Sequence, residues 1–280
     1  MSSWWPRTSD FEARSSVVDA AVNVRCMDRA LCGDVAPLRL LSFNIQVGIK
    51  TSKYRQYVTR GWKHVLPNVS RTDNLRRIAD VVADYDVVAL QEIDRGSLRS
   101  GFINQVEYLA DRAQFPYWYA QRNRDLGPFA QHGNGLLSRI APNGLEDHKL
   151  PGVIPGRGAI VLRIPYAGAD VVVVLLHLSL GEHSRRQQLD YVRELIRGEH
   201  YVVVMGDMNS RITQLLFDSP LQDTDLRPVA DVQPTYPAWR PSAALDHVLV
   251  TPDLVVNDYA VLDCHLSDHL PIAVTLTLAA

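Results

Sequence analysis

Short apolar runs alternate along this chain with turn residues and with a few segments of helical spacing. Runs of this length with many β-branched residues predict strands, while apolar positions three and four residues apart predict helices. Nine predicted strands lie at Leu38–Ile45, Asp86–Gln91, Asn134–Arg139, Gly158–Ile164, Asp170–His177, Tyr201–Met205, Leu245–Val250, Val255–Leu262 and Ile272–Leu278. Three predicted helices lie at Thr72–Ala83, Asn104–Ala113 and Ser184–Ile196.

The small number of helices decides how these elements pack. Three helices cannot cover both faces of about nine strands, so strands must pack on strands. The predicted fold class is therefore α+β, with two sheets packed face to face and helices outside them. We expect this domain to span residues 37–280, after an extension of residues 1–36 that is either partly helical or mobile.

Composition and charge narrow the class of protein. With 280 residues and 46% hydrophobic content, the chain can bury one substantial core. The net charge of −2 argues against binding polyanions through the overall field, but it leaves room for a local basic groove. Cys26, Cys32 and Cys264 have neither the paired spacing of a zinc site nor that of a disulfide framework. Without an apolar run of about 18 residues or a signal peptide, we expect a cytoplasmic monomer.

The most informative polar residues follow the apolar run Tyr201–Met205. Asp207 and Asn209 lie two positions apart beyond it, and extended backbone sends such side chains to the same side. A carboxylate there can orient an attacking water, while the amide can bind a metal ion or a phosphate. The alternative is an Asx turn after Gly206, which needs no catalytic role.

Three further polar residues stand at the ends of predicted strands, namely Glu92, Asn44 and His177. A carboxylate in this position serves either as a metal ligand or as a solvated loop charge. Asn44 has the alternative of satisfying a turn, and His177 that of an ordinary buried histidine.

Near the C-terminus, Asp246 interrupts an apolar strand and needs a partner for its buried charge. The adjacent residues Asp268 and His269 offer one. A carboxylate that fixes one imidazole nitrogen, while the other handles a proton or a phosphoryl oxygen, recurs in hydrolases. Together with Asp207, these residues predict metal-assisted phosphoester hydrolysis.

The order of these residues resembles the endonuclease/exonuclease/phosphatase superfamily, which includes DNase I-like nucleases. The resemblance spans about Leu38 to Leu278 and is most specific in Gly206–Asn209 and Ser267–Pro271. It implies a DNase I-like four-layered α/β sandwich, in which helices flank two mainly antiparallel sheets. It also implies a site for Mg²⁺ or Mn²⁺ where the strand-end loops converge.

The resemblance implies a role for each matching residue. Glu92 would be the principal metal ligand, with Asn44 and Asp268 as further ligands. Among the catalytic residues that it implies, Asp207 would orient the attacking water and Asn209 would contact phosphate or metal. His177 and His269 would stabilise the phosphoryl group, and Asp246 would hold His269.

The residues that would choose the substrate form a looser group. Residues 50–77 interleave lysines and arginines with tyrosines and a tryptophan, which suits a nucleic-acid backbone with stacked bases, a lipid headgroup at a membrane surface, or a plain soluble loop. Arg157 and Asn134 are further candidates for substrate binding, Arg157 as a phosphate clamp and Asn134 as a contact at the rim of the cleft.

The sequence thus predicts a divalent-metal phosphodiesterase that acts on nucleic acid, DNA or RNA, as an endonuclease or exonuclease. The alternative is a hydrolase of phospholipids or of phosphorylated metabolites. A third interpretation, a non-catalytic binding module on the same fold, would be favoured if the carboxylates or histidines were missing, and none is missing.

Overall fold

The computed structural model describes residues 35–48, 69–100, 102–125, 131–152 and 156–279. The strands within these ranges are β1 (Leu38–Asn44), β2 (Val87–Asp94), β3 (Tyr117–Ala120), β4 (Arg124–Asp125), β5 (Gln131–Ser138), β6 (Gly144–Lys149), β7 (Gly158–Tyr166), β8 (Ala169–His177), β9 (Val202–Asp207), β10 (Arg227–Pro228), β11 (Asp246–Val250), β12 (Leu254–Val261) and β13 (Ile272–Leu278). The α-helices there are α1 (Val69–Val82), α2 (Gln105–Ala113), α3 (Glu182–Leu195) and α4 (Ile212–Phe217).

The strands form two sheets. The first has the order β12-β13-β1-β2-β5-β3, with β4 paired to β5, and the second has the order β10-β11-β9-β8-β7-β6. Only the pairs β1–β2 and β8–β9 are parallel among the described strands, so the prediction of mainly antiparallel sheets is confirmed.

The apolar run of β8 shows why the sheets pack in layers. Val171, Val173 and Leu175 belong to the core between the two sheets. The alternate residues Val172 and Val174 belong to a second core, beneath α3 and α4. Because a strand points successive side chains to opposite faces, a continuous apolar run must be covered on both sides.

The first sheet is covered in the same way. Leu41 and Phe43 of β1 pack in a third cluster with Ile78 of α1 and Leu109 of α2. The layers are therefore helix, sheet, sheet and helix. This order confirms the predicted four-layered α/β sandwich.

All nine predicted strands and all three predicted helices are present, with ends that shift by a few residues. The edge strand β6 was missed because only Leu145 is buried in its polar sequence. The prediction also missed β3, α4 and the two-residue strands β4 and β10, which are too short to show a period.

Some predictions fall outside the described residues. The N-terminal extension lies there up to residue 34, and so do Cys26 and Cys32. Cys264 is a free, half-buried thiol, and burial raises its pKa. None of the described helices is long and apolar enough to cross a bilayer.

Strand pairing collects the predicted site residues at one edge. His177 at the end of β8 lies beside Asp207 at the end of β9, and Asp246 at the start of β11 lies on the other side of Asp207. In the first sheet, Asn44 at the end of β1 lies beside Gln91 in β2, which precedes Glu92. Parallel strands thus deliver their carboxyl ends together, as the sequence pattern predicts.

Gly206 allows β8 and β9 to approach closely just before Asp207. Its φ is +145°, and a Cβ atom built there would lie 1.9 Å from the carbonyl oxygen of Leu176. We predict that Gly206→Ala lowers the free energy of unfolding by more than about 2 kcal/mol, measured by urea denaturation. A side chain at this position would have to push the two strands apart.

Gly168→Ala is the matched control, because Gly168 also has a positive φ, +84°, but nothing lies within 4 Å of its added Cβ. It should cost only about 1 kcal/mol from backbone strain. Equal losses for the two variants would contradict the close approach as the cause.

Candidate active site

The carboxylate of Asp207 is the centre of the site. Its Oδ2 atom lies 3.1 Å from Asn44 Nδ2, 3.4 Å from His177 Nε2 and 3.9 Å from His269 Nε2. These partners come from β1, from β8 and from the loop before β13. Residues that are far apart in the sequence therefore meet at one buried oxygen.

The other oxygen of Asp207 holds the following turn. Oδ1 accepts a hydrogen bond from the backbone N–H of Asn209 at 3.0 Å, and Asn209 has a left-handed φ of 48°. The side chain of Asn209 donates to the carbonyl of Leu178 at 2.9 Å, beside His177. The Asx turn considered as an alternative is thus present, and it also fixes Asn209 next to the site.

His269 is oriented by a buried carboxylate. Its Nδ1 atom lies 2.8 Å from Asp246 Oδ2, which also accepts a hydrogen bond of 2.5 Å from the hydroxyl of Thr235. The ring of Tyr236 packs on the imidazole, with 4.9 Å between ring centroids. Thr235 and Tyr236 were missed by the sequence analysis, because they lie in a polar loop without a motif.

Burial and neighbouring charges decide which of these groups carry a proton. Burial by itself lowers the pKa of His269, but the carboxylates of Asp246 and Asp207 outweigh it and raise the pKa to about 10. Burial raises the pKa of Asp207 to about 7, although the charge of His269 opposes this shift. The site therefore combines an imidazolium with a carboxyl group that exchanges protons near neutral pH.

His177 differs from His269 in its charge. Burial lowers its pKa well below the ordinary value, and the Arg157 guanidinium lowers it further. Arg157 Nη1 donates a hydrogen bond to His177 Nε2, which fits a neutral ring. The 3.4 Å contact between His177 and Asp207 is therefore not an ion pair.

Glu92 leaves the sheet at an irregularity in the strand. The pairing of β2 with β5 shifts between Leu90 and Ile93, and Glu92 has a left-handed φ of 55°. Such a bulge turns a side chain out of the regular ladder, commonly beside active sites. Within the described part of the chain, the Glu92 carboxylate forms no hydrogen bond or salt bridge.

Asp268 completes an acidic pair with Glu92. Burial raises the pKa of Asp268 to about 6, a shift that His269 opposes and the charge of Glu92 reinforces. Two acidic side chains in electrostatic contact, one of them without a hydrogen-bond donor among the described residues, are a suitable oxygen site for a hard divalent cation. The residues thus fit the Mg²⁺ or Mn²⁺ site that the sequence predicts.

A second group has ligand atoms close enough for a metal ion. Those of Asp207, Asp246 and His269 lie within 4.8 Å of one another. However, the high pKa of His269 keeps its imidazole protonated, and a protonated ring offers no lone pair to a metal. The charge on His269 thus suits this group to proton handling and hydrogen bonding, whereas the Glu92–Asp268 pair offers oxygens that suit a cation.

The two predicted substrate-binding residues lie in different settings. Arg157 borders the site through its contact with His177. Asn134 is fully buried and donates hydrogen bonds to Gln121 and to the carbonyl of Gly158, so the structure does not place it at an exposed rim. Residues 50–68 of the basic stretch lie outside the described residues.

The fold and the site define a class of phosphoester hydrolases. The chain belongs to the endonuclease/exonuclease/phosphatase family, whose model matches residues 41–269. A search of curated protein sequences finds no match.

Solved structures of the same fold include an endonuclease/exonuclease/phosphatase from Beutenbergia cavernae, with 22% identity over 87% of this chain and 72% of that chain, and a TM-score of 0.68. A mannosyl-6-phosphatase from Bacteroides thetaiotaomicron has 17% identity over 86% of this chain and 100% of that chain, with a TM-score of 0.64. TDP2 from D. rerio, complexed with a single-strand DNA product, has 18% identity, coverage of 86% and 99%, and a TM-score of 0.63.

We predict that Asp246→Asn lowers kcat at least about 100-fold. The amide would present an N–H or a weaker acceptor to His269 Nδ1, so the ring would lose both its charge and its fixed orientation. The measurement is hydrolysis of bis(p-nitrophenyl) phosphate, with thermal stability recorded for each variant.

Asp86→Asn is the control, because Asp86 accepts hydrogen bonds from Arg39 at the opposite edge of the first sheet. It should leave kcat unchanged. A similar loss of activity in both variants would argue against a specific role for Asp246.

Proposed function

We propose that this protein is a phosphodiesterase that hydrolyses nucleic acid and depends on Mg²⁺ or Mn²⁺. The observation that carries the proposal is the buried carboxylate of Asp207, which lies between the neutral ring of His177 and the charged ring of His269 and within electrostatic range of Glu92. An acid–base group, a fixed cation and an oxygen-rich metal site are the requirements of phosphoester hydrolysis.

Asp207 supplies the base in this reaction. The oxygen of a water molecule bonds to phosphorus while the ester P–O bond breaks, and the water gives up a proton. A carboxylate with a pKa of about 7 is matched to accept that proton near neutral pH. Asn44 and the backbone of Asn209 hold the carboxylate in place from two sides.

Two cationic groups stabilise the charge that develops on the phosphoryl oxygens. His269 is committed to Asp246 through Nδ1, so its charged Nε2–H is free to donate to the phosphate. Arg157 presents a guanidinium beside neutral His177, on the other side of Asp207. Fixed donors in a buried site stabilise such charge more strongly than water does.

The acidic pair of Glu92 and Asp268 would hold the divalent ion, with Asn44 as a further ligand through the carboxamide oxygen that also accepts a hydrogen bond from the backbone N–H of Gln46. When bound, the ion neutralises phosphoryl and leaving-group oxygens as a Lewis acid. Carboxylate and amide oxygens suit Mg²⁺ or Mn²⁺ better than zinc.

The choice of nucleic acid rests on the basic and aromatic residues between positions 50 and 77, which match the demands of a charged backbone with stacked bases. TDP2, which was solved with single-strand DNA, shares the fold. A phosphorylated metabolite is the second candidate, because mannosyl-6-phosphatase also shares it. A panel of single-stranded DNA, abasic duplex DNA, RNA, sphingomyelin and sugar phosphates separates these substrates by their kcat/KM.

We predict that removal of divalent ions with EDTA abolishes hydrolysis and that Mg²⁺ or Mn²⁺, but not Zn²⁺, restores it. Glu92→Gln should weaken Mg²⁺ binding at least about tenfold by calorimetry, because it removes the carboxylate that lacks a hydrogen-bond donor in the described residues. Full activity after exhaustive EDTA treatment would rule out the metal requirement.

We also predict that Asp207→Asn lowers kcat at least as much as Asp246→Asn, because an amide cannot accept the proton of the attacking water. Cys264→Ser should leave kcat unchanged, since this thiol packs with α1 and α2 rather than at the site. Turnover of the Asp207 variant near that of the unaltered protein would refute the proposed function.

A further inference from the structure

Two buried amides on the first sheet hydrogen-bond to the backbone directly after Arg157. We infer that Gln121 and Asn134 form a clamp that holds the backbone after Arg157 and thereby aims its guanidinium at the substrate phosphate. This inference rests on the proposed function, in which Arg157 contacts the phosphate. In this reading Asn134 and Gln121 are positioning residues and do not touch the substrate.

Asn134 forms the first half of the clamp. It lies on β5 in the first sheet, and its Nδ2 donates hydrogen bonds of 2.9 Å to the carbonyl of Gly158 and to Oε1 of Gln121. Gly158 begins β7 in the second sheet, directly after Arg157. Asn134 therefore links the two sheets at Gly158, the residue directly after Arg157.

Gln121 forms the second half. It follows β3, and its Nε2 donates to the carbonyl of Ala159 at 2.9 Å and to Asp147 Oδ1 at 2.6 Å. The carbonyls of the two residues after Arg157 are thus both held, while the carbonyl of Arg157 itself accepts from the N–H of Leu150 at 3.0 Å. Three consecutive carbonyls are fixed by partners from different segments.

The orientation of both amides is determined by their surroundings. Each NH₂ group faces only acceptors, so a flipped amide would set oxygen against oxygen. Both side chains have 0% exposure, so water cannot replace the bonds. The two amides therefore have a single orientation that provides donors for these acceptors.

The lack of a side chain at Gly158 leaves space for the amide of Gln121. A Cβ atom built on Gly158 would lie 2.4 Å from Oε1 of Gln121 and 2.7 Å from its Cδ. The backbone after Arg157 therefore approaches the amide more closely than any other residue would permit.

Positioning matters here because the guanidinium of Arg157 lies among the polar groups of the site. Its guanidinium donates to His177, and burial lowers its pKa, an effect that Glu92 and Asp207 oppose. A displacement of about 1 Å at such a group can cost about 100-fold in rate. A loosened clamp should therefore reduce activity through Arg157 alone.

A double-mutant cycle tests this coupling with bis(p-nitrophenyl) phosphate as the substrate. Asn134→Ala should lower kcat/KM at least about tenfold in the unaltered protein and less than about twofold in an Arg157→Ala background. Equal effects in both backgrounds would overturn the inference, since Asn134 would then act independently of Arg157.

Asn134→Asp and Gly158→Ala disturb the clamp without deleting either amide-bearing position. Asn134→Asp removes both donated hydrogen bonds at nearly constant volume, and Gly158→Ala displaces the side chains of Gln121 and Asn123 while leaving both amides of the clamp in the chain. Each variant should reduce kcat/KM and weaken the binding of inorganic phosphate, measured by calorimetry. The loss of kcat/KM and the loss of phosphate affinity should be proportional. If neither changes phosphate binding, the clamp does not position Arg157.

Ser138→Ala is the matched control on the same strand. Ser138 is buried at the far end of β5, where its hydroxyl donates to the carbonyl of Ile140 at 2.7 Å. This variant should lose stability in urea without any change in kcat/KM, and a loss of activity equal to that of Asn134→Ala would assign both effects to general destabilisation.

The same assay separates this inference from the proposed function. If Asp207→Asn abolishes hydrolysis while the cycle shows no coupling, only the clamp fails. If Asp207→Asn remains active, the proposed function itself fails.

Discussion

The burial of the Asp207 carboxylate is the constraint on which the rest of the site depends. Only 2% of the surface of Asp207 is exposed. A buried carboxylate without hydrogen-bond donors or an opposite charge costs roughly several kcal/mol. Compensation comes from the amide of Asn44, the backbone N–H of Asn209 and the charged ring of His269. These groups belong to both sheets and to a C-terminal loop, so the carboxylate is satisfied only when the sandwich has closed.

Electrostatics divides the site into two halves with different tasks. Asp246 accepts hydrogen bonds from His269 and Thr235, and its negative charge keeps the imidazole of His269 protonated and oriented. Among the described residues, Asp268 accepts a 3.2 Å hydrogen bond from the hydroxyl of Ser267 and the Glu92 carboxylate accepts none, which leaves oxygens of this pair available to a cation. The same residue type thus serves hydrogen bonding in one half and ion binding in the other, because neighbouring donors differ.

The sheets provide the rigid frame that such precision requires. Both faces of β8 are buried, so His177 at its end cannot shift without disturbing two cores. Gly206 brings β9 close to β8 directly before Asp207, and the amides of Gln121 and Asn134 join the sheets beside Arg157. Catalytic side chains at the ends of well-packed strands, with substrate recognition in variable loops, allow one fold to serve many phosphoesters.

Local pattern in the sequence determined the elements and pointed to the residues of the candidate site. Continuous apolar runs such as that of β8 require cover on both faces, and polar residues directly after such runs, including Glu92, His177 and Asp207, stand where strands emerge from a core. Tertiary structure alone decided the rest. Thr235, Tyr236 and Gln121 carry no motif, because their importance lies in what they meet across the fold. The charge of each histidine could not be predicted from the sequence either. Arg157 lies beside His177, whereas the carboxylates of Asp246 and Asp207 lie beside His269. Only the packing of the fold brings these neighbours within range.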